Sequence, residues 1–174
     1  MCGRYDLHTH PTALALALGL KHPPELQPRY NIAPTQHVPI IRLGDGEREL
    51  SQARWGLVPF WAKDISIGNK MINARAETVT TRPGFRDAYA NARCLIPASV
   101  FYEWARMMDG TKQPVHIGMK DDSPFAFAGL WSRWGPKGGE KLETCTIITT
   151  EANELCQYVH AGKLVRVALR HISI

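Results

Sequence analysis

Apolar residues along this chain come in short runs cut by glycine, proline and charged residues, a spacing that predicts many short strands and few helices. Residues 11–18, Pro-Thr followed by alternating Ala and Leu, are the main exception. Strict alternation also suits a strand, but the alanine content favours a helix. Thr9 or His10 lies near its start, Pro11 takes the first helical position and Gly19 sits near its end. Residues 29–35 read as a loop with buried anchors. Residues 38–43 read as a strand, Gly44-Asp45-Gly46 as a turn and residues 49–55 as the return strand. An aromatic-rich loop follows over residues 55–61, and residues 82–92 form a short helix. Residues 94–104 look like two buried extended segments broken near Pro97. Asp109-Gly110 makes a hairpin turn before a strand at 115–119. Residues 125–131 and 144–150 are further strands, separated by Gly138-Gly139, and residues 151–158 should be helical. This order predicts an α+β domain: a curved or barrel-like antiparallel sheet with a few short helices.

The length of 174 residues fits one domain with room for a real core. The 44% hydrophobic and 21% charged fractions are ordinary for a soluble globular protein. No apolar run reaches the roughly 18 residues of a membrane span. The apolar stretch after Thr12 lacks a preceding Lys/Arg cluster and a small-residue cleavage site, which argues against a signal peptide. Cys2, Cys94, Cys145 and Cys156 lie far apart with no C-x-x-C pair, so neither a zinc site nor a disulfide framework is expected. A reducing cytoplasm fits that usage best. His8 and His10 lack a third ligand set, and no metal or cofactor is expected. Of the net charge of +5, more than half sits in residues 161–174, where Lys163, Arg166 and Arg170 are joined by no acid. Global basicity is therefore a weak argument for nucleic acid, and the placement of particular arginines matters more.

The chemistry concentrates at the start, Met1-Cys2-Gly3-Arg4-Tyr5. Loss of Met1 would leave Cys2 with an α-amine and a thiol on one carbon framework. Such a 1,2-aminothiol condenses with an aldehyde to an imine, and the thiol then closes on the same carbon as a five-membered thiazolidine. Both groups have ordinary pKa values of roughly 8 to 8.5, and their proximity makes the second step intramolecular. A buried free cysteine acting as a small hydrophobe is the plain alternative. Glu103, in Phe101-Tyr102-Glu103-Trp104, is either a desolvated carboxylate tuned for proton transfer or a side chain turned to solvent. Asn73 and Arg75 alternate, so both face one site or serve as a loop cap and a surface charge. His160 follows Tyr158-Val159 and is either a site residue or a satisfied structural one.

Taken together and in this order, the segments resemble the SRAP (SOS-response-associated peptidase) family. They are Met1 to Tyr5, Arg29-Tyr30-Asn31-Ile32-Ala33-Pro34, Trp55-Gly56-Leu57-Val58-Pro59, Ile72-Asn73-Ala74-Arg75-Ala76-Glu77-Thr78, Arg93-Cys94-Leu95-Ile96-Pro97 with Phe101 to Trp104, Phe127-Ala128-Gly129-Leu130-Trp131 and Thr146-Ile147-Ile148-Thr149-Thr150. The resemblance implies a protein that binds single-stranded DNA and captures the ring-opened aldehyde of an abasic site as a thiazolidine crosslink. It implies Cys2 as nucleophile and amine, Asn73 as the orienting residue, Glu103 as proton shuttle and His160 as an aid to sugar ring opening. Arg4, Arg75 and Thr149 would contact the strand, while Phe60 and Trp61 would stack on or wedge beside bases. It also implies self-removal of Met1 by the same nucleophile.

The end departs from the pattern. The family continues His-x-Arg-Met-Pro, whereas this sequence reads His160-Ala161-Gly162-Lys163 and reaches Ile174 soon after. The expectation is a domain over residues 1–160 and an atypical basic tail over 161–174, with the closing strands shortened. Two other functions remain open from the residues alone: an N-terminal-nucleophile amidohydrolase or cysteine peptidase acting in trans, and an inactive single-strand-binding relic.

Overall fold

A computed structural model describes residues 2–150. The expected helix at 151–158, His160 and the basic tail lie outside the described residues.

The Ala/Leu run is helix α1, Pro11–Leu18. His10 Nδ1 accepts the Thr12 N–H at its start, and Gly19 ends it in the left-handed region at φ 66°. Burial settles strand against helix. Leu14 and Leu18, four apart, are buried, while Leu16 between them is 87% exposed. Alternation in a strand would have put all three on one face.

Five strands close into a barrel: β3 (His37–Gly44), β4 (Glu47–Trp55), β6 (Arg93–Ala98), β9 (Phe125–Trp134) and β10 (Leu142–Thr149). Neighbours pair antiparallel along β4-β3-β6-β9-β10. The closing seam is parallel, with Thr144 opposite Arg54 and Cys145 opposite Trp55. Asp45 and Gly46 both have positive φ, so Asp-Gly forms the tight hairpin turn between β3 and β4. Short strand β5 (Asn73–Arg75) adds to β10 in parallel, with Ile147 opposite Asn73 and Thr149 opposite Arg75. Helix α2 (Arg86–Asn91) lies inside the expected 82–92 span.

A second sheet lies beside the barrel in the order β2 (Arg29–Ile32), β1 (Tyr5–Leu7), β7 (Val100–Arg106), β8 (Lys112–Gly118). Residues 29–35, expected as a loop, thus begin with a strand. It is short, irregular in register and at the sheet edge, which is why its pattern was weak. The break expected near Pro97 falls at Ser99. Pro97 stays in β6 opposite Ala126. Ser99 instead donates its N–H to the Asp6 carbonyl, and its hydroxyl accepts the His8 and Thr9 N–H groups. The chain therefore passes from barrel to second sheet at Ser99.

An aromatic cluster joins the two sheets. Tyr5 meets Trp55 edge-on at 5.5 Å and Phe127 at 5.7 Å, and Phe101, Phe125 and Phe127 contact one another the same way. Each such pair adds about 0.5–1.5 kcal/mol beyond area burial. The cluster pins β1, and with it the segment carrying Cys2, against the barrel. Among the described residues no helix is long and apolar enough to cross a membrane.

Candidate functional site

Cys2 precedes β1 and has no exposed surface. Two strands from different sheets bring their residues to it. From β5, the Asn73 side-chain nitrogen donates to the Cys2 carbonyl at 2.9 Å. From β7, Glu103 faces inward and is only 3% exposed, which decides against the solvent-turned alternative. Burial, and then the charge of Glu103, push the Cys2 thiol from 9.0 up to about 12. A thiol so placed holds its proton at neutral pH, so any reaction must move that proton to a neighbouring base.

Asn73 is positioned through the residue before it. The Ile72 carbonyl accepts both the Trp55 indole N–H at 2.9 Å and the Ile147 N–H at 3.2 Å. Trp55 is fully buried and also packs on Tyr5, so one side chain ties β1 to the start of β5. The Asn73 Oδ1 is buried and has no hydrogen-bond partner among the described residues. A second acceptor therefore waits beside Cys2.

The expected strand-contacting residues take different positions. Arg4 is half-buried, and its Nη1 donates to Asn31 Oδ1 at 3.0 Å. Arg75 is exposed on β5. Phe60 and Trp61 are 65% and 49% exposed. Trp61 lines an open depression of about 260 Å³ that also includes Asn73, Lys70, Met71, Arg82 and Phe85. Asn73 and Trp61 thus share one hollow with two cations, Lys70 and Arg82, that the sequence reading did not single out. Their signal was faint: each merely flanks the Asn73 segment. Thr149 is different. It is 3% exposed, and its hydroxyl lies 3.4 Å from the Ala74 carbonyl. It braces the β5–β10 pair. His160 lies outside the described residues. Among those described, no group of His, Cys, Asp and Glu is arranged to hold a metal ion.

Comparisons with known proteins agree with this architecture. The abasic site processing protein YoaM of Bacillus subtilis (strain 168) is 44% identical over 98% of this chain and 77% of its own length. The abasic site processing protein HMCES of Gallus gallus is 31% identical over 77% of this chain and 49% of its own length. A crystal structure of a Bordetella bronchiseptica protein superposes with a TM-score of 0.79 at 26% identity, covering 95% of this chain and 82% of that one. Another, from Bacteroides thetaiotaomicron, gives 0.77 at 29% identity, covering 91% and 72%. Residues 1–169 match the family described as SOS response associated peptidase (SRAP), and the chain belongs to that family.

Proposed function

We propose that this chain captures abasic sites in single-stranded DNA as a covalent thiazolidine through Cys2, after loss of Met1. The observation that carries the reading is the convergence of Asn73 and Glu103 on a cysteine that becomes N-terminal. The relatives named abasic site processing proteins support it.

The chemistry balances without a cofactor. The Cys2 amine adds to the sugar aldehyde, and the resulting carbinolamine loses one water to give the imine. The thiol then adds to the imine carbon, and its proton ends on the ring nitrogen. Glu103 carries protons between these positions, a role worth roughly 10²–10⁴-fold in rate. Burial and the Glu103 charge both raise the Cys2 thiol, which favours attack by a thiol whose proton passes to a neighbouring carboxylate. Asn73 fixes the main chain of Cys2, so amine and thiol meet the aldehyde in one orientation. His160 assists sugar ring opening.

Cys2 is fully enclosed, so the aldehyde reaches it only after the segment before β1 shifts. Removal of Met1, by self-cleavage with the Cys2 thiol as nucleophile and water completing hydrolysis, both frees the amine and shortens that segment. The exposed Phe60 and Trp61 stack on bases, while Arg4 and Arg75, with Lys70 and Arg82 in the hollow, hold phosphates. A reducing compartment such as the cytoplasm keeps the thiol available.

Intact mass after incubation with an abasic single-stranded oligonucleotide tests the reading. The expected product is chain without Met1 plus oligonucleotide less one water, absent in Cys2→Ala. No adduct from a folded chain shown to lack Met1 would sink it.

A further inference from the structure

The four-stranded sheet has two unlike faces. Its inner face carries Tyr5, Ile32, Phe101 and Glu103, all buried against the core. Its outer face is neither aliphatic nor simply polar. Tyr102 and Trp104 stand opposite His116 and Pro114 in register, and Trp104 is 38% exposed. Tyr30 is 64% exposed, and its ring stacks on His8 at 5.4 Å and 16°. Arg4 precedes β1: its carbonyl accepts the Tyr102 N–H, and its guanidinium donates to Asn31 of β2.

These groups are held in place. The buried Asp6 carboxylate accepts from the Val100 N–H, the Tyr102 hydroxyl and His8 Nδ1, each at 3.1 Å. The Tyr102 hydroxyl also lies 3.3 Å from the Tyr30 carbonyl. The strands of this sheet contain two acids, Asp6 and Glu103, and both are buried. The outer face therefore offers rings and cations with no exposed strand carboxylate.

We infer that this outer face is a second stacking platform for single-stranded nucleic acid, taking the bases on the side of the lesion away from Phe60 and Trp61. The inference rests on Cys2 as the point of capture. Continuity and charge select the occupant. Arg4 follows Cys2 by two residues, and its guanidinium is held by Asn31, the residue after Tyr30, so a strand anchored at Cys2 meets a cation at the β2 edge of this sheet. Bases stack on aromatic faces whatever their sequence, and cations between the rings follow the backbone. Asp6 holds the His8 ring on which Tyr30 stacks, which lowers the entropy cost of ordering a ring for stacking.

Fluorescence anisotropy on the full chain with an undamaged single-stranded oligonucleotide tests this, beside photocrosslinking with the same oligonucleotide carrying 5-iodouracil. Tyr30→Ala and Trp104→Ala should each weaken binding by about five-fold or more. Tyr30→Phe, which keeps the ring, should restore it. Mapped photoadducts should include Tyr30 or Trp104. Trp104 is only 38% exposed, so Trp104→Ala also loses packing and is read only where its melt shows it folded, while Tyr30→Ala against Tyr30→Phe carries the test. If the Cys2 adduct with abasic DNA forms while both alanine variants bind like the parent, the platform is overturned and the capture reading survives. If no Cys2 adduct forms, it is the capture reading that fails. A dimer in sedimentation that Trp104→Ala dissolves, with DNA affinity unchanged, would make this face an interface between copies and also overturn the platform.

Discussion

The Asn73 amide holds the Cys2 carbonyl at 2.9 Å, linking residues 71 positions apart in the chain. Its donor is engaged, and its buried oxygen is unpartnered among the described residues. Replacing Asn73 by alanine removes one hydrogen bond, about 1 kcal/mol of stability. The effect on crosslinking should be larger, at ten-fold or more in rate at saturating DNA, because the reacting residue loses its tether. Asn73→Asp should be worse still, since it sets a carboxylate oxygen against a carbonyl oxygen. Single-turnover gels on the three proteins check the order, and an aspartate variant as fast as wild type would refute it.

Glu103→Gln keeps shape and burial but cannot carry a proton. Crosslinking should slow by roughly 10²–10⁴-fold, with affinity for undamaged DNA nearly unchanged. The Cys2 thiol should also shift down, because the Glu103 charge is the second cause of its elevation after burial. Alkylation of Cys2 followed against pH reads that shift. Equal crosslinking rates in the two proteins would mean that Glu103 only packs.

Alkali should destabilise the fold. Burial is the main cause that raises the ionisations of Cys2, Tyr5, Cys94 and Cys145. For Cys2 the ordinary value is 9.0 and the folded value about 12. The folded chain keeps this proton where the unfolded chain has released it. The stabilisation is therefore complete below pH 9 and is lost as pH rises toward 12, at up to about 1.4 kcal/mol per pH unit for each group. Melting temperature should fall as pH rises from about 9 toward 12, and less steeply in Cys2→Ala. A flat profile would show that these groups ionise without unfolding.

Arg75 is exposed on β5, just past Asn73. If it holds a phosphate, Arg75→Ala should reduce the slope of log affinity against log salt by about 0.7 for single strands. Affinity should drop alike for every base sequence. An unchanged slope would remove Arg75 from the interface.

Much of the fold was legible because its signals are local. The Asp45-Gly46 turn, the Pro11 start and Gly19 stop of α1, and the apolar runs of β3, β6 and β9 are each written within a few residues. What was hidden depends on partners far along the chain. Strand β5 is three residues long and exists because β10 offers it a parallel edge. Strand β2 exists because β1 accepts it. The site shows the same division. Cys2 stood out by its place behind Met1, Glu103 as a carboxylate among aromatics, and Asn73 by its alternation with Arg75. The cations Lys70 and Arg82 became visible only when the 3₁₀ turn at Ile65–Lys70 and the segment before α2 came together around Asn73.

Gly56 gives the sharpest test of how the aromatic loop is held. Its φ is +131°, and an added Cβ would lie 2.5 Å from the Gly68 carbonyl oxygen and 3.1 Å from Arg54 Nη1. Its N–H donates to the Cys145 carbonyl at 2.8 Å, and the next N–H, of Leu57, donates to the Met71 carbonyl at 3.1 Å. The chain leading to Phe60 and Trp61 therefore crosses the 3₁₀ turn at a distance that admits no side chain. Gly56→Ala meets both backbone strain and a backbone clash, so a loss of about 3 kcal/mol is expected, the top of the range for strain alone. That corresponds to a fall in Tm of roughly 6–12 °C at this chain length. Single-strand affinity should fall with it, as Trp61 leaves its place beside Asn73. Gly46→Ala is the control. It also has positive φ, but nothing lies within 4 Å of the new Cβ, so its cost should be smaller and its DNA affinity that of the parent. If the two variants melt and bind alike, the close crossing at Gly68 is not what sets the loop.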